Sequence, residues 1–288
     1  MLIIKIKAGL GNQMFQYAFG RALSLERNET LFLDSHYYNN QPIQDAKREF
    51  ILDKFNIKAD LLSRELHKKY NTGIKIFLRK IYRKIYKIDD YKYYPSLIKS
   101  KISYYDGYWI NQRYFIKYQD IIRKELSLKN PYGDAAKKVH DEISSSIKES
   151  MIPVSIHIRR GDFVSSPQAA FNGLMGMPYY EKAYDLLVSK YSLKMIKLFI
   201  FSDDISWVKY NLKLSCPMFF VSNNNVRDYE EVILMSQCSH HIIANSTFSW
   251  WGAWLNPNKN KIVISPKQWL KDKTSEELDI LPAEWVKI

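Results

Sequence analysis

The chain opens on a short apolar run and then alternates such runs with amphipathic stretches. Residues 2 to 7, LIIKIK, have the β-branched content of a strand; Gly9, Leu10, Gly11 and Asn12 read as a turn; Met14, Phe15, Ala18, Ala22 and Leu25 then recur at helical spacing. A second strand is predicted over Thr30 to Asp34, which completes the β-turn-helix-β unit that opens a Rossmann-like domain. From about 60 to 125 the pattern predicts mainly helix, rich in lysine, arginine and tyrosine. Within it, Ile74, Phe77, Ile81, Ile85 and Ile88 share one helical face, while Lys75, Arg79, Lys80, Arg83, Lys84 and Lys87 occupy the others. Such a helix either lies on an anionic membrane surface or packs its apolar face on its own domain with its cations in water.

Asn130-Pro131-Tyr132-Gly133-Asp134 gathers turn formers between two helical patterns and reads as a linker. Beyond it the periodicity alternates: strand 152 to 158, helix 178 to 190, strand 196 to 202, strand 217 to 221, helix 228 to 238, strand 240 to 244 and strand 260 to 264. The expected fold class is therefore α/β, with two Rossmann-like domains, residues 1 to 132 and 133 to 288, facing a cleft. Ligands of such sheets bind at the carboxyl ends of the strands. The loops after residues 158, 202 and 244 are the places to search.

Composition narrows the partners. Lys and Arg number 43 against 30 Asp and Glu, a formal net charge of +13, so the surface favours anions such as nucleotides, nucleic acid or acidic lipid. Only Cys216 and Cys238 occur, and no Cys/His cluster has zinc spacing, so neither a disulfide framework nor a metal site is expected. The apolar start is broken by Lys5 and Lys7, unlike a signal peptide. The expected location is cytoplasmic, with peripheral contact on the inner membrane face if the 74 to 88 stripe binds lipid.

The first loop, in VSIHIRRGDFV (154 to 164), carries dense fixed charge. Alternation along the strand sets His157 and Arg159 on one side, opposite Val154, Ile156 and Ile158. Arg160, Gly161 and Asp162 turn away, and Asp162 is placed to hold a guanidinium. A fixed guanidinium grips phosphate oxygens in bidentate fashion and stabilises charge growing on a leaving group; the competing role is a structural Arg/Asp pair. In the second loop, after Phe201 and Ser202, Asp203 and Asp204 can accept hydrogen bonds from a nucleotide base or ribose, or one of them can cap a helix. The third loop places Asn245, Ser246, Thr247, Phe248 and Ser249 at a predicted helix start, where free N–H groups and the helix dipole cradle a phosphate. Trp250, Trp251 and Trp254 read as core.

Gly9 and Gly11 after the first strand suggest a dinucleotide loop, with Asp34 near the place of a ribose acid. Met14 stands where a third glycine would be, too bulky for close helix-strand packing, so a nicotinamide site is disfavoured. The loop reads as a close backbone approach to some ligand, with Asn12 and Gln13 as amide donors and acceptors.

GLGNQMFQYA (9 to 18), HIRRGD (157 to 162), FSDD (201 to 204) and STFSWWGAW (246 to 254), in this order, resemble the bacterial α-1,2-fucosyltransferases of glycosyltransferase family 11. The resemblance implies a GT-B-like fold, GDP-β-L-fucose as donor, a galactose-type glycan as acceptor at its 2-hydroxyl, inversion, no cofactor and no metal. It also implies roles. Arg159 becomes the catalytic arginine at the pyrophosphate and leaving oxygen, His157 and Asp203 recognise guanine, Ser246 to Ser249 hold the β-phosphate and fucose, and Asn12 and Gln13 face the acceptor. Asp34, His36 and Asp162 are candidates for the base that takes the acceptor proton. A fucosyltransferase of another linkage, a nicotinamide-dependent oxidoreductase and a nucleic-acid binder are the alternatives. A nucleic-acid binder would interleave lysines and aromatics in a recognisable module and lose affinity steeply with salt, and neither it nor an oxidoreductase accounts for all three strand-end loops together.

Overall fold

The computed structural model describes residues 1–43, 46–161, 173–189, 195–222 and 225–288. The chain forms two compact units: Met1–Lys129 with Leu278–Leu281, and Asn130–Glu277 with Pro282–Ile288. Among the described residues no helix is long and apolar enough to cross a membrane.

The first unit is built on a parallel sheet of order β3-β2-β1-β4, from β1 (Leu2–Lys5), β2 (Leu31–Asp34), β3 (Asp60–Leu61) and β4 (Tyr104–Tyr105). Leu2, Ile3 and Ile4 are fully buried, as a strand covered on both faces requires. Helix α1 (Leu10–Arg27) begins at once after Gly9, so Gly9 to Asn12 is the helix start and not the separate turn that its residues suggest. The backbone N–H groups of Asn12 and Gln13 both donate to the Gly9 carbonyl. Close packing of α1 on the sheet is achieved at Gly20, where a Cβ would lie 2.4 Å from Ile4 Cγ1. The compact contact comes later in the helix than the Met14 position.

Residues 60 to 125 are less helical than their periodicity suggests. They contain α2 (Arg64–Tyr70), α3 (Gly73–Ile85), α4 (Pro95–Lys99) and α5 (Gln119–Glu125), but also β3 and β4, whose two residues each are too few to show a strand period. Of the apolar stripe predicted over 74 to 88, Ile74, Phe77 and Ile85 are exposed, whereas Ile81 and Ile88 are half-buried.

The second unit carries a parallel six-stranded sheet of order β12-β9-β8-β5-β6-β7. Its elements run α6 (Asp134–Lys148), β5 (Ile152–Ile158), α7 (Met177–Ser189), β6 (Ile196–Ser202), α8 (Ile205–Asn211), β7 (Met218–Phe220), α9 (Asp228–Gln237), β8 (His240–Ile242), α10 (Thr247–Leu255) and β9 (Val263–Ser265). An antiparallel pair, β10 (Gln268–Leu270) and β11 (Lys273–Thr274), precedes β12 (Val286–Lys287). Val154, Ile156, Ile158, Leu198, Ile200 and Ile242 form the core around the central strands. Trp250, Trp251 and Trp254 fill the core beneath α10, and Gly252 lets that helix meet α9, where a Cβ would lie 2.9 Å from Met235 Cβ. Strand β8 stops at Ile242, two residues short of its apolar run, which leaves Ile243 to Asn245 as the loop that leads into α10.

Candidate active site

In the second unit the chain runs from β5 outward through β6 to β7, then returns to the other side of β5 with β8. The strand order therefore reverses between β5 and β8. Doubly wound sheets bind ligands at such a reversal, outside the carboxyl ends of the strands. The two loops that leave this point are Arg159 to Gly161 and Ile243 to Ser246, and the loop after β6 flanks them. The charged and hydroxyl-rich motifs of the sequence fall at the position that topology marks for a ligand.

Arg159 Nη1 lies 2.8 Å from Asp203 Oδ2, while the other carboxylate oxygen accepts from the Arg160 backbone N–H at 2.8 Å. One carboxylate thus fixes both the guanidinium and the turn that follows it. Gly161 makes this approach feasible, because a Cβ there would lie 2.6 Å from Asp203 Oδ2. Arg160 turns elsewhere: its Nε is 3.3 Å from Asp204 Oδ2, and its guanidinium stacks 3.5 Å from the Trp207 ring centre. Asp204 also caps α8 by accepting from the Trp207 N–H at 3.2 Å, and its own N–H donates to Ser202 Oγ. The two aspartates therefore divide as anchor and cap. Asp162 lies outside the described residues.

His157 is buried near the end of β5, with its ring 5.4 Å from that of Phe248 across the strand reversal. Burial, with the Arg159 charge, lowers its pKa to about 4 against an opposing effect of Asp203, so the imidazole is neutral at physiological pH. Its buried Nδ1 has no hydrogen-bond partner. Buried polar atoms are seldom left unsatisfied, and at the strand reversal this one is available to a ligand.

Ser246 is the N-cap of α10, and its Oγ accepts from the Phe248 N–H at 3.3 Å. Ser246, Thr247 and Phe248 are partly exposed at the helix start, where free N–H groups favour an anion. Asn245 and Ser249 are turned inward. Asn245 donates to the carbonyls of Gly173 and Trp269 at 3.0 and 2.9 Å, and the buried Ser249 hydroxyl is within 3.2 Å of the carbonyls of Ala244 and Ser246. Both brace the loop with groups that the sequence suggested were free for a ligand.

In the first unit, the buried Asp34 ends β2 and is the centre of a polar cluster. One carboxylate oxygen lies 2.9 Å from His36 Nδ1, the other 2.9 Å from His67 Nδ1, and Tyr104 Oη and Asn71 Nδ2 donate to it at 2.6 and 3.2 Å. Burial alone would raise the Asp34 pKa, but the bonds from Tyr104, His67 and the His36 backbone outweigh it and hold the carboxyl below its ordinary value. The Asp34, His36 and His67 ligand atoms lie within 4.8 Å of one another, a grouping that no sequence spacing signals. The two imidazoles are stacked, centres 4.2 Å apart and planes 22° from parallel, so their in-plane lone pairs run side by side and do not converge on one ion. Two Nδ1–H groups shared by one carboxylate describe the geometry better, each leaving its Nε2 as a proton acceptor.

Gln13 is fully buried and holds residues 49 to 51: its Nε2 donates to the carbonyls of Ala8 and Glu49, and its Oε1 accepts from the Ile51 N–H. Its amide is spent internally, whereas the buried Asn12 Oδ1 has no hydrogen-bond partner. At the first unit's own strand reversal, between β1 and β4, Lys5 and Lys7 both pair with Asp106, at 3.0 and 2.8 Å. Burial opposes ionisation of Asp106, but the two ammonium groups prevail and lower its pKa to about 2.

His67, Asn71, Tyr104 and Asp106 escaped sequence reasoning because they are brought to the sheet edge by folding and belong to no local motif. Glu231, in the first turn of α9, escaped likewise. Burial pushes its pKa up to about 8 against a hydrogen bond from Ser222, and the charges of Asp228 and Asp203 add to the rise.

A family model described as glycosyl transferase family 11 matches residues 1–288. The chain is 32% identical to the O-antigen biosynthesis glycosyltransferase WbnK of Escherichia coli, over 95% of this chain and 96% of that protein. It is 33% identical to an α-1,2-colitosyltransferase of Escherichia coli, over 100% and 99% of the two chains. A galactoside 2-α-L-fucosyltransferase of Mus musculus, Sec1, is 23% identical over 88% of this chain and 64% of its own. Among solved structures, the NodZ α-1,6-fucosyltransferase co-crystallised with GDP is similar over 89% of this chain and 92% of its own, with 13% identity and a TM-score of 0.50, and shares the GT-B fold of two Rossmann-like domains. With the family model spanning every residue and two relatives above 30% identity over nearly their whole lengths, the chain belongs to glycosyl transferase family 11.

Proposed function

We propose that this protein transfers L-fucose from GDP-β-L-fucose to the 2-hydroxyl of a galactose-type acceptor in surface polysaccharide synthesis, with inversion to an α linkage. The observation that carries the reading is the Arg159 guanidinium, fixed by Asp203 beside the strand reversal of the second unit. As the bond from fucose to the β-phosphate breaks, negative charge grows on the leaving oxygen. A preorganised guanidinium and the N–H groups at the α10 start, with Ser246 and Thr247, stabilise that charge in the role that other transferases give a divalent ion. No metal takes part in this account. The neutral His157, with its unpartnered Nδ1, accepts or donates to the nucleotide base, and Phe248 packs beside it.

An inverting transfer commonly uses a base to take the acceptor proton, and a dissociative route needs only weak assistance from one. The Asp34 pair supplies one: a carboxylate that orients an imidazole through Nδ1–H and stabilises the imidazolium formed when Nε2 is protonated. His36 and His67 share this role, and Asp34 positions them.

A second reading concerns the donor sugar alone. Identity of 33% over the whole chain to an α-1,2-colitosyltransferase favours colitose, which lacks the 3-hydroxyl of fucose. A site that hydrogen-bonds that hydroxyl rejects the deoxy sugar by a factor of about 10⁴, whereas a site without such a partner accepts both. GDP release from GDP-fucose and from GDP-colitose, over a panel of β-galactosides with product linkage read by NMR, tests both readings. Transfer from GDP-fucose to O2 of galactose supports the first, and a strong preference for GDP-colitose replaces it with the second.

A further inference from the structure

Helix α3 is mounted the wrong way round for a soluble protein. Its arginines face its own unit. Arg79 lies 4.3 Å from the Tyr104 ring centre and donates to the Tyr70 carbonyl and Asn71 Oδ1; Arg83 stacks on Trp109, donates to the Asp106 carbonyl and pairs with Asp90 at 3.0 Å. Guanidiniums hold the helix where an apolar face would ordinarily do so. Beneath it a cavity of about 310 Å³, lined by Leu78, Tyr82, Ile88, Leu97, Ile102 and Trp109, separates the helix from the sheet edge.

A set of apolar residues points outward instead, with Ile81 half-buried between them. Ile74, Phe77 and Ile85 are 75%, 61% and 68% exposed, and Leu78, which also lines the cavity, is 56% exposed beside them. These residues stand three, four and seven apart and form one continuous stripe. Lys75, Lys80 and Lys84, all exposed, border it. Single exposed apolar residues are commonplace, but a stripe of four on one helix face is not.

We propose that this stripe inserts into the headgroup and acyl boundary of an anionic bilayer, with α3 lying in the membrane plane. An apolar face bordered by lysines, on a chain of net charge +13, fits a surface that offers negative headgroups outside and hydrocarbon within. Lysine stems reach past the apolar residues to the phosphates, as long basic side chains do at interfaces. A protein groove would cover the stripe but gives no reason for cations along its edges.

Co-sedimentation of the whole protein with vesicles tests this, comparing pure phosphatidylcholine with vesicles about one-third phosphatidylserine. Because the altered side chains are exposed, the double variants Phe77→Ser/Ile85→Ser and Lys80→Ser/Lys84→Ser keep the fold, as circular dichroism checks. The wild type is expected to bind the anionic vesicles and not the neutral ones. The serine-for-apolar pair should weaken that binding about tenfold or more with every charge intact, and the lysine pair should weaken it roughly tenfold and flatten its salt dependence. Unchanged sedimentation of either variant, or no binding of the wild type, overturns the proposal. So does concentration-dependent dimerisation abolished by Phe77→Ser/Ile85→Ser, which would assign the face to a second copy.

Discussion

Asp203 holds Arg159 at 2.8 Å with one carboxylate oxygen and the backbone N–H of Arg160 at 2.8 Å with the other. The guanidinium is thus set before a donor arrives, and little side-chain entropy remains to be lost when it meets a phosphate. Preorganised charge of this kind is commonly the largest electrostatic contribution to catalysis.

Gly161→Ala should break that arrangement without unfolding the chain. The added methyl would stand 2.6 Å from Asp203 Oδ2 and push the carboxylate off both partners. A loss of about 1–3 kcal/mol in stability is expected, with a fall of tenfold or more in kcat/KM for the donor, measured by GDP release at varied GDP-fucose. Unaltered donor kinetics would show that Asp203 does not set the arginine.

Substitutions in the two units should separate donor activation from acceptor activation. Asp34→Asn and the double variant His36→Gln/His67→Gln are each expected to slow transfer to the acceptor about a hundredfold, while slow hydrolysis of GDP-fucose without acceptor stays near the wild-type rate. Product analysis with and without β-galactoside measures the ratio. An equal loss of transfer and hydrolysis would remove the imidazoles from the role of base and leave the cluster a structural one.

Glu231 gives a stability signature with a defined sign. Its folded pKa of about 8 exceeds that of an unfolded glutamate, 4.5, so between these values the folded state holds a proton that the unfolded state has lost. Stability therefore falls as pH rises from 4.5 to 8 and the deficit stays constant above. Glu231→Gln removes this dependence. Thermal melts should show the variant level with wild type near pH 4 and several degrees more stable above pH 8; parallel curves would contradict the burial argument.

Donor stabilisation by a guanidinium and helix amides requires no divalent ion. Turnover in excess EDTA should stay near the untreated rate, and a strict manganese dependence would instead place a metal at the pyrophosphate.

Much of this was legible in the chain because local pattern and tertiary position agree. The run from 152 to 158 is a buried parallel strand whose periodicity ends where its charges begin, and the strand from 196 to 202 sets Asp203 beside Arg159 in register. The motifs after β5 and β6 are visible in this way because the strands that carry them are seven residues long. The first unit was harder to read. Asp34 stands at the end of a recognisable strand, but His67, Asn71 and Tyr104, which complete its cluster, come from a short helix, a helix end and a two-residue strand with no shared motif. Asn245 and Ser249 show the opposite limit, since their residue types suit a ligand loop whereas Asn245 donates to the Gly173 and Trp269 carbonyls and Ser249 to carbonyls of the loop itself. The stripe on α3 was plain in the sequence, and only the inward contacts of Arg79 and Arg83 decide which way it faces.

The central claim is that Arg159 stabilises the departing GDP. Arg159→Lys keeps a positive charge but loses the planar fork, so kcat for transfer from GDP-fucose to a β-galactoside should fall about a hundredfold or more, with circular dichroism unchanged. Turnover within a few-fold of wild type would contradict the account.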